Sequence, residues 1–201
     1  MKDLLITSFA LGDQEYLKDI TFPAMRSYAD LLKADFIEAP ILNHSRPLAW
    51  GKILSLSNAL TTYEHVLWID ADLLLLSPTQ DFREEIPSNC VQALVQHETA
   101  EGSIPNTGFW YMSSEMTPFL RDIWECYDLI NHRWWDNAAL LRTMGYTVDP
   151  PIAIKTDTFL MGRTHFLDGK WNNIQHLSPN NPFTFHAAGI EDKKLFLERY
   201  L

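Results

Sequence analysis

Residues 65–76 (HVLWIDADLLLL) constrain this chain most, because two carboxylates interrupt an otherwise apolar run. In a β-strand, residues two apart point to the same side, so Asp70 and Asp72 would project together. Burying two unpaired negative charges on one face of a core strand is costly. The cost becomes acceptable if the strand ends here and the pair binds a hard divalent cation that carries phosphates. The alternative is an Asp pair that only caps a turn or a helix, without a metal.

The composition favours a single soluble globular domain. The chain has 201 residues, of which 46% are hydrophobic and 21% charged, as in domains that bury a sizeable core. A net charge of −10 without a Lys or Arg cluster argues against nucleic-acid and anionic-membrane partners. The apolar runs are too short for a signal peptide or a membrane span. Cys90 and Cys126 are most simply reduced thiols, so we expect a cytoplasmic location.

Hydrophobic periodicity predicts an α/β fold. Strands that alternate with helices in the first third of the chain indicate βαβ units and a mixed, mostly parallel sheet flanked by helices. In such sheets, ligands bind beyond the carboxyl ends of the strands. The predicted strands are 4–9, 35–38, the apolar run 65–76, 90–96, 108–112 and 183–186. Four helices are predicted. The first begins near Thr21 with Pro23 in its first turn, the second covers 49–62, the third is capped by Thr117, and the fourth covers 136–144 and ends before Gly145.

Segment 66–75 (VLWIDADLLL) resembles the Asp-x-Asp segment of GT-A-type glycosyltransferases. It is most similar to the family that contains glycogenin and the bacterial lipopolysaccharide galactosyl- and glucosyltransferases. Four further segments resemble this family's motifs in the family's order: 106–110 (NTGFW), 135–140 (WDNAAL), 170–172 (KWN) and 185–189 (FHAAG). The resemblance implies one GT-A-type, Rossmann-like catalytic domain over 1–201, with nucleotide and metal binding in about 1–112 and the sugar and acceptor side in 113–201.

The same resemblance implies a metal and donor site. Asp70, Asp72 and His186 would hold Mn²⁺, or Mg²⁺, against the diphosphate of a nucleotide-sugar donor, and two carboxylates with one imidazole suit Mn²⁺. The family places a basic residue where Lys52 stands; a solvated helix-end lysine is the alternative. Its usual Lys six residues after the His is Asp192 here, so Lys193 would take that role one residue late. The remaining donor-binding candidates are Thr7, Ser8 and Phe9, which match the base loop in position only, with Ala71, Gly108 and Gly189.

Three residues are implied on the sugar side. Asn106 and the pair Asp136 and Asn137 would lie near the donor sugar and its anomeric carbon. An ordinary turn is the alternative for Asn106, and a helix N-terminus is the alternative for Asp136. The adjacent Trp134 and Trp135 could stack on a sugar acceptor, although burial in the core is commoner for such residues.

The resemblance implies transfer of a hexose from a UDP-sugar to a hydroxyl of a glycan, glycolipid or protein acceptor, with retention of configuration. A domain of the same fold that binds nucleotide-sugar or glycan without turnover is one alternative. A phosphatase with an Asp nucleophile is another. Leu74 at the usual Thr position and the absence of a late Asp-Asp pair argue against the phosphatase.

Overall fold

A computed structural model describes residues 2–40, 42–76, 78–174 and 182–201. The strands are β1 Lys2–Ser8, β2 Asp35–Glu38, β3 Tyr63–Ile69, β4 Leu73–Leu75, β5 Gln92–Thr99, β6 Gly102–Ser113, β7 Thr164–Leu167 and β8 Thr184–His186. The helices are α1 Leu17–Leu32, α2 Gly51–Ala59, α3 Thr117–Trp124, α4 Trp135–Thr143, α5 Phe159–Gly162 and α6 Lys193–Glu198. Within these ranges, no helix has both the length and the apolar character needed to cross a bilayer.

Six strands form one mixed sheet in the order β2-β1-β3-β6-β5-β7. Three of its pairs are parallel (β1 with β2, β1 with β3, and β5 with β7), and β6 runs antiparallel to both β3 and β5. β4 and β8 form a separate antiparallel pair. The predicted α/β fold with a mixed, mostly parallel sheet is therefore confirmed.

The last four residues of strand β3, 66–69, are buried on both faces, which explains why this part of its sequence is continuously apolar. Val66 and Trp68 pack into the core on the side of α2, α3 and α4. Leu67 and Ile69 pack into the opposite core, on the side of α1, β4 and α6. The charged residue of the strand, Glu64, lies at its exposed beginning, and the next charge comes only after the strand ends.

The apolar run 65–76 is not one strand. β3 ends at Ile69, and the Leu73 backbone N–H donates to the Asp70 carbonyl at 2.9 Å, which closes a turn. The chain then enters β4, which pairs with β8 rather than continuing the main sheet. Asp70 and Asp72 thus lie in the turn between two sheets, and this turn, not strand alternation, brings them together.

Two helix starts differ from the prediction. α1 begins at Leu17, so Pro23 lies inside this helix and not in its first turn. The Leu17 side chain is fully buried, and its packing extends the helix by a turn before Thr21. Pro23 lies on the exposed face of the helix, where water can bond the backbone carbonyl that loses its helical partner at the proline. Thr117 is the first residue of α3 but provides no cap, because its hydroxyl donates to the Ser114 carbonyl.

The other helix predictions fit more closely. The predicted helix 49–62 is a 3-10 turn, Leu48–Trp50, followed by α2, which ends at Ala59. α4 ends at Thr143, and Gly145 follows with φ +91°, the left-handed conformation typical of a helix terminator.

We predict that Thr21 stabilises the Asp70–Asp72 turn. Its buried hydroxyl lies 2.7 Å from the Ala71 carbonyl and 3.0 Å from the Leu17 carbonyl. Thr21→Val keeps the shape but leaves the Ala71 carbonyl without a donor, and we expect a loss of about 1–3 kcal/mol in the free energy of unfolding. Urea denaturation measures this loss. Thr21→Ser, which keeps the hydroxyl, should lose clearly less; equal losses in both variants would contradict the assignment.

Candidate metal centre

Asp70, Asp72 and His186 meet at one point. His186 Nε2 lies 3.3 Å from Asp72 Oδ1 and 3.8 Å from Asp70 Oδ2. The pairing of β4 with β8 sets Leu73 opposite His186, and the Ala187 N–H donates to the Asp72 carbonyl at 2.9 Å. The short second sheet therefore brings His186 to the acidic turn. The order of motifs in the sequence had predicted that these three residues lie together.

A chain of amide hydrogen bonds orients the His186 ring. The Gly108 backbone N–H, which can only donate, bonds Asn106 Oδ1 at 2.8 Å. The same oxygen accepts from Asn172 Nδ2 at 2.8 Å, so Asn172 Oδ1 faces His186 Nδ1, also at 2.8 Å. Because Oδ1 can only accept, the proton of His186 lies on Nδ1. Nε2 is left facing the two carboxylates, where a proton or a metal cation can bind.

Gly108 is required by the closeness of the His186 ring. A Cβ atom at position 108 would lie 2.4 Å from His186 Cε1 and 2.9 Å from Asn106 Oδ1. Both contacts are shorter than van der Waals distance, and the ring has little room to move because only 2% of His186 is exposed. The predicted role of Gly108 at the site is thus a steric one in this structure.

The donor set fits a divalent cation. One ligand atom from each of Asp70, Asp72 and His186 lies within 4.8 Å of the other two. Two ligands of one ion lie at most twice the ion–ligand distance apart, which is about 4.0–5.2 Å for Mg²⁺ to Ca²⁺. Carboxylate oxygens suit both Mn²⁺ and Mg²⁺, and the imidazole nitrogen favours the transition metal Mn²⁺ over Mg²⁺.

Two lysines compensate the acidic turn. Lys52 Nζ lies 2.8 Å from Asp70 Oδ1, and Lys193 Nζ lies 2.5 Å from Asp72 Oδ2. Burial lowers the pKa of Lys52, but the Asp70 and Asp136 carboxylates outweigh burial, and the pKa is raised. Burial raises the pKa of Asp72, but His186 and Lys193 outweigh it and hold the pKa well below its usual range. Lys52 is a buried site residue and not a solvated helix-end lysine, and Lys193 reaches the site despite its displaced position.

Asp136 is a buried acid beside Lys52. Only 4% of the residue is exposed, and Oδ2 lies 3.6 Å from Lys52 Nζ. Within the described ranges, this oxygen has no hydrogen-bond donor. Burial raises the pKa of Asp136, and the Asp70 charge adds to the rise, while Lys52 opposes it. Asp136 does lie in the first turn of α4, where the helix dipole favours a carboxylate, but the N-cap is Trp134 and it forms no side-chain cap bond.

The two asparagines implied on the sugar side bond to the protein. Asn106 Oδ1 accepts two hydrogen bonds in the chain that ends at His186. Asn137 Nδ2 donates to the Pro105 carbonyl at 3.1 Å, and Asn137 Oδ1 accepts from the Thr107 N–H at 3.1 Å. These bonds hold β6 where its pairing with β5 is irregular. Sugar contact by either asparagine stays a prediction.

The remaining predicted residues lie at the ends of β1 and β8. Thr7 Oγ1 donates to the Ile37 carbonyl at 2.7 Å, and in the described part of the chain the buried Ser8 hydroxyl has no partner. Gly189 follows His186 with φ +71°. The Ala71 carbonyl is bound by Thr21. Phe9 lines a cavity of about 100 Å³ together with Leu11, Pro40, Leu42, Asn43, His44, Leu48, Gly51 and Ser55.

Sequence reasoning missed three contacts of the site. Trp68 Nε1 donates to Asp70 Oδ1 at 2.6 Å, and Thr107 Oγ1 accepts from Lys52 Nζ at 3.1 Å. Asn172 was noted as part of a motif but without a role. Trp68 could have been found, since it lies near the end of β3, two residues before Asp70. Thr107 and Asn172 stand in recognised motif segments, but those segments do not reveal their contacts, because the partners are distant in sequence.

Comparison with known proteins relates this architecture to sugar-transferring enzymes. No family model and no curated protein sequence matches the chain. A glycosyltransferase involved in the glycosylation of the major capsid of PBCV-1 superimposes with a TM-score of 0.70, 17% identity and 98% coverage of both chains. The glycosyltransferase GlyE of Streptococcus pneumoniae TIGR4 has a TM-score of 0.62 and 13% identity, over all of this chain and 60% of GlyE. Mouse xyloside xylosyltransferase 1 has a TM-score of 0.51 and 9% identity, over 94% of this chain and 98% of the mouse chain. The chain has the GT-A glycosyltransferase fold.

We predict that Asn172 tunes metal affinity through His186. Asn172→Leu has a similar volume but removes both amide bonds, so the ring loses the partner that holds its proton on Nδ1. Loss of such an outer partner typically weakens metal binding about 10–100-fold, and we expect that loss in the Mn²⁺ dissociation constant, measured by electron paramagnetic resonance. The exposed Asn131 offers a matched control as Asn131→Leu. An unchanged Mn²⁺ affinity in Asn172→Leu would contradict the role.

We predict that Asp136 destabilises the metal-free fold. Because its folded pKa is raised, the folded state holds a proton that the unfolded state has released, so stability falls as pH rises from the ordinary Asp pKa through the raised value. Asp136→Asn lacks this loss. We expect its Tm to exceed the wild-type Tm by about 2–4 °C at pH 8, equivalent to about 1 kcal/mol, and the gap to shrink in acid. Asp122→Asn, on the exposed face of α3, should show no such trend.

Proposed function

We propose that this chain is a metal-dependent glycosyltransferase that moves a hexose from a UDP-sugar to a hydroxyl of a glycan, glycolipid or protein acceptor, with retention. The observation that carries the proposal is the convergence of Asp70, Asp72 and His186 with two lysines in a GT-A fold. Asp70 and Asp72 come from the proposed nucleotide and metal half (1–112), and His186 comes from the proposed sugar and acceptor half (113–201).

The leaving diphosphate is the group that this site is suited to hold. When bound by Asp70, Asp72 and His186, Mn²⁺ or Mg²⁺ supplies Lewis-acid stabilisation of phosphate oxygens. Lys193 and Lys52 each pair with one of the two aspartates in the described structure. When those carboxylates bind a cation, both ammonium groups become available to stabilise negative charge on the departing diphosphate.

The cavity at Phe9 is proposed to hold the base of the nucleotide. Its lining combines apolar side chains with Asn43, His44 and Ser55 as polar groups, which suits a planar heterocyclic base. Gly51, which directly precedes Lys52 in the chain, is part of this lining.

Asp136 is proposed to face the transferred sugar. Its Oδ2, which accepts no hydrogen bond within the described ranges, lies beside Lys52 and is suited to stabilise positive charge at the anomeric carbon. In the proposed step, the bond from the anomeric carbon to the phosphate oxygen breaks while a bond to the acceptor oxygen forms on the same face. The acceptor proton passes to the departing phosphate oxygen, so a separate strong base is unnecessary.

We predict that donor binding depends on the metal ligands. A thermal-shift panel of UDP-glucose, UDP-galactose and their GDP and ADP counterparts, with and without Mn²⁺, should show a Mn²⁺-dependent rise in Tm for UDP-sugars. Asp70→Asn with Asp72→Asn should abolish that rise and reduce UDP release at least about 100-fold.

A second acidic cluster in this chain controls for adventitious metal binding. Asp3, Glu64 and His65 also bring three ligand atoms together, on the surface. His65→Ala should leave the UDP-sugar response intact. Wild-type metal affinity and sugar transfer in the variant with both Asp70→Asn and Asp72→Asn would overturn the proposal. Phosphate release from phosphomonoesters would favour a phosphatase instead. Tight donor binding without turnover would indicate a binding module.

A further inference from the structure

The two adjacent tryptophans before Asp136 differ in their surroundings. The Arg133 guanidinium lies 4.2 Å from the centre of the Trp134 ring, His132 contacts that ring edge-on, and Trp134 packs against the core. Trp135 is 45% exposed. In the part of the chain that the structure describes, its indole makes no hydrogen bond and no ring contact. The large apolar surface of Trp135 is therefore presented to solvent.

Trp135 also occupies an unfavourable backbone conformation. Its φ of +43° lies in the left-handed region, which bulky side chains rarely adopt and which Gly and Asn tolerate. Strained residues of this kind persist where surrounding structure holds them, and they cluster at ligand sites. Stability alone would favour a different residue at this position.

Trp135 is the chain neighbour of a residue of the proposed active site. It is the first residue of α4 and directly precedes Asp136, whose buried Oδ2 has no donor within the described ranges. Asp136 lies beside Lys52, and Lys52 pairs with Asp70. The exposed residue is thus attached one peptide unit away from the buried carboxylate proposed to face the transferred sugar.

We propose that the Trp135 indole is the platform on which the acceptor sugar ring stacks, a role that rests on the proposed transferase function. One face of a pyranose presents mainly C–H groups, which pack on an aromatic ring, while its hydroxyl groups remain at the edge for hydrogen bonding. The donor is held chiefly through its diphosphate, by charged groups. An uncharged glycan must instead be oriented by an apolar surface close to the reacting carbon.

The loop that precedes Trp135 favours a sugar over a protein partner. Asn131 and Arg133, the exposed residues nearest to Trp135 along this loop, both carry hydrogen-bonding side chains. A protein interface is expected to show a contiguous apolar patch around its aromatic anchor. An exposed aromatic ring that follows polar residues in the chain instead matches the mixed character of a pyranose.

Saturation-transfer difference NMR tests the platform with defined probes. Methyl glucopyranosides and methyl galactopyranosides are added to the protein with UDP and Mn²⁺, and the ring C–H protons are observed. We expect clear signals for the wild type, weaker ones for Trp135→Phe, and at least a fivefold loss for Trp135→Asn. Because Asn suits the left-handed conformation, Trp135→Asn should melt no lower than the wild type, so the loss cannot be due to unfolding.

Control measurements separate the platform from the transferase. Phe159→Ser removes an exposed ring of another helix, α5, and should leave the glycoside signals unchanged. Trp135→Asn should retain the Mn²⁺-dependent UDP thermal shift. Wild-type glycoside signals in Trp135→Asn, or none in a wild type that binds UDP with Mn²⁺, would overturn the platform and leave the transferase standing. Trp135-dependent glycoside signals without any UDP response would support the platform as a glycan site and overturn the transferase.

Discussion

The electrostatic constraint on this fold is the concentration of negative charge at the end of β3. Asp70, Asp72 and Asp136 carry three carboxylates in a confined and partly dry space, and Lys52 and Lys193 supply only two matching charges. Such a surplus is unfavourable unless a cation joins it or a proton is retained. Burial and the Asp70 charge raise the pKa of Asp136, as such a surplus requires, whereas His186 and Lys193 hold the pKa of Asp72 below its usual range. A divalent cation at this site would relieve the surplus, which is the physical basis of the proposed function.

The surrounding structure serves to hold this charge in place. Thr21 bonds the carbonyl between the two aspartates, and the pairing of β4 with β8 delivers His186. The hydrogen-bond chain from Gly108 through two asparagines then sets the orientation of the imidazole. Each of these interactions involves a residue in direct contact with the aspartate turn or with His186. Such outer contacts decide whether ligands are positioned before a metal arrives, and so how tightly it binds.

Much of the fold and the core of the site could be predicted from the sequence. The uninterrupted apolar residues around Asp70 and Asp72 indicated a central strand that ends at a ligand site, and the order of later motifs indicated His186. The predicted beginning of α1 was wrong, because burial of Leu17 outweighs the usual preference for Pro in the first turn of a helix. The contacts of Thr107 and Asn172 could not be predicted, since they join residues far apart in sequence that carry no periodic pattern.

The sequence alone determined the class of fold and the side-chain types of the candidate metal ligands, because hydrophobic periodicity and side-chain type are local properties. Only the tertiary structure decided which groups lie together. It closed the aspartate turn with a separate sheet, buried Lys52, and assigned Asn106 to the bonds that orient His186. It also separated the two adjacent tryptophans, packing Trp134 and exposing Trp135. Their surroundings differ because consecutive side chains at the start of a helix point in different directions, and no local pattern encodes which of the two joins the core.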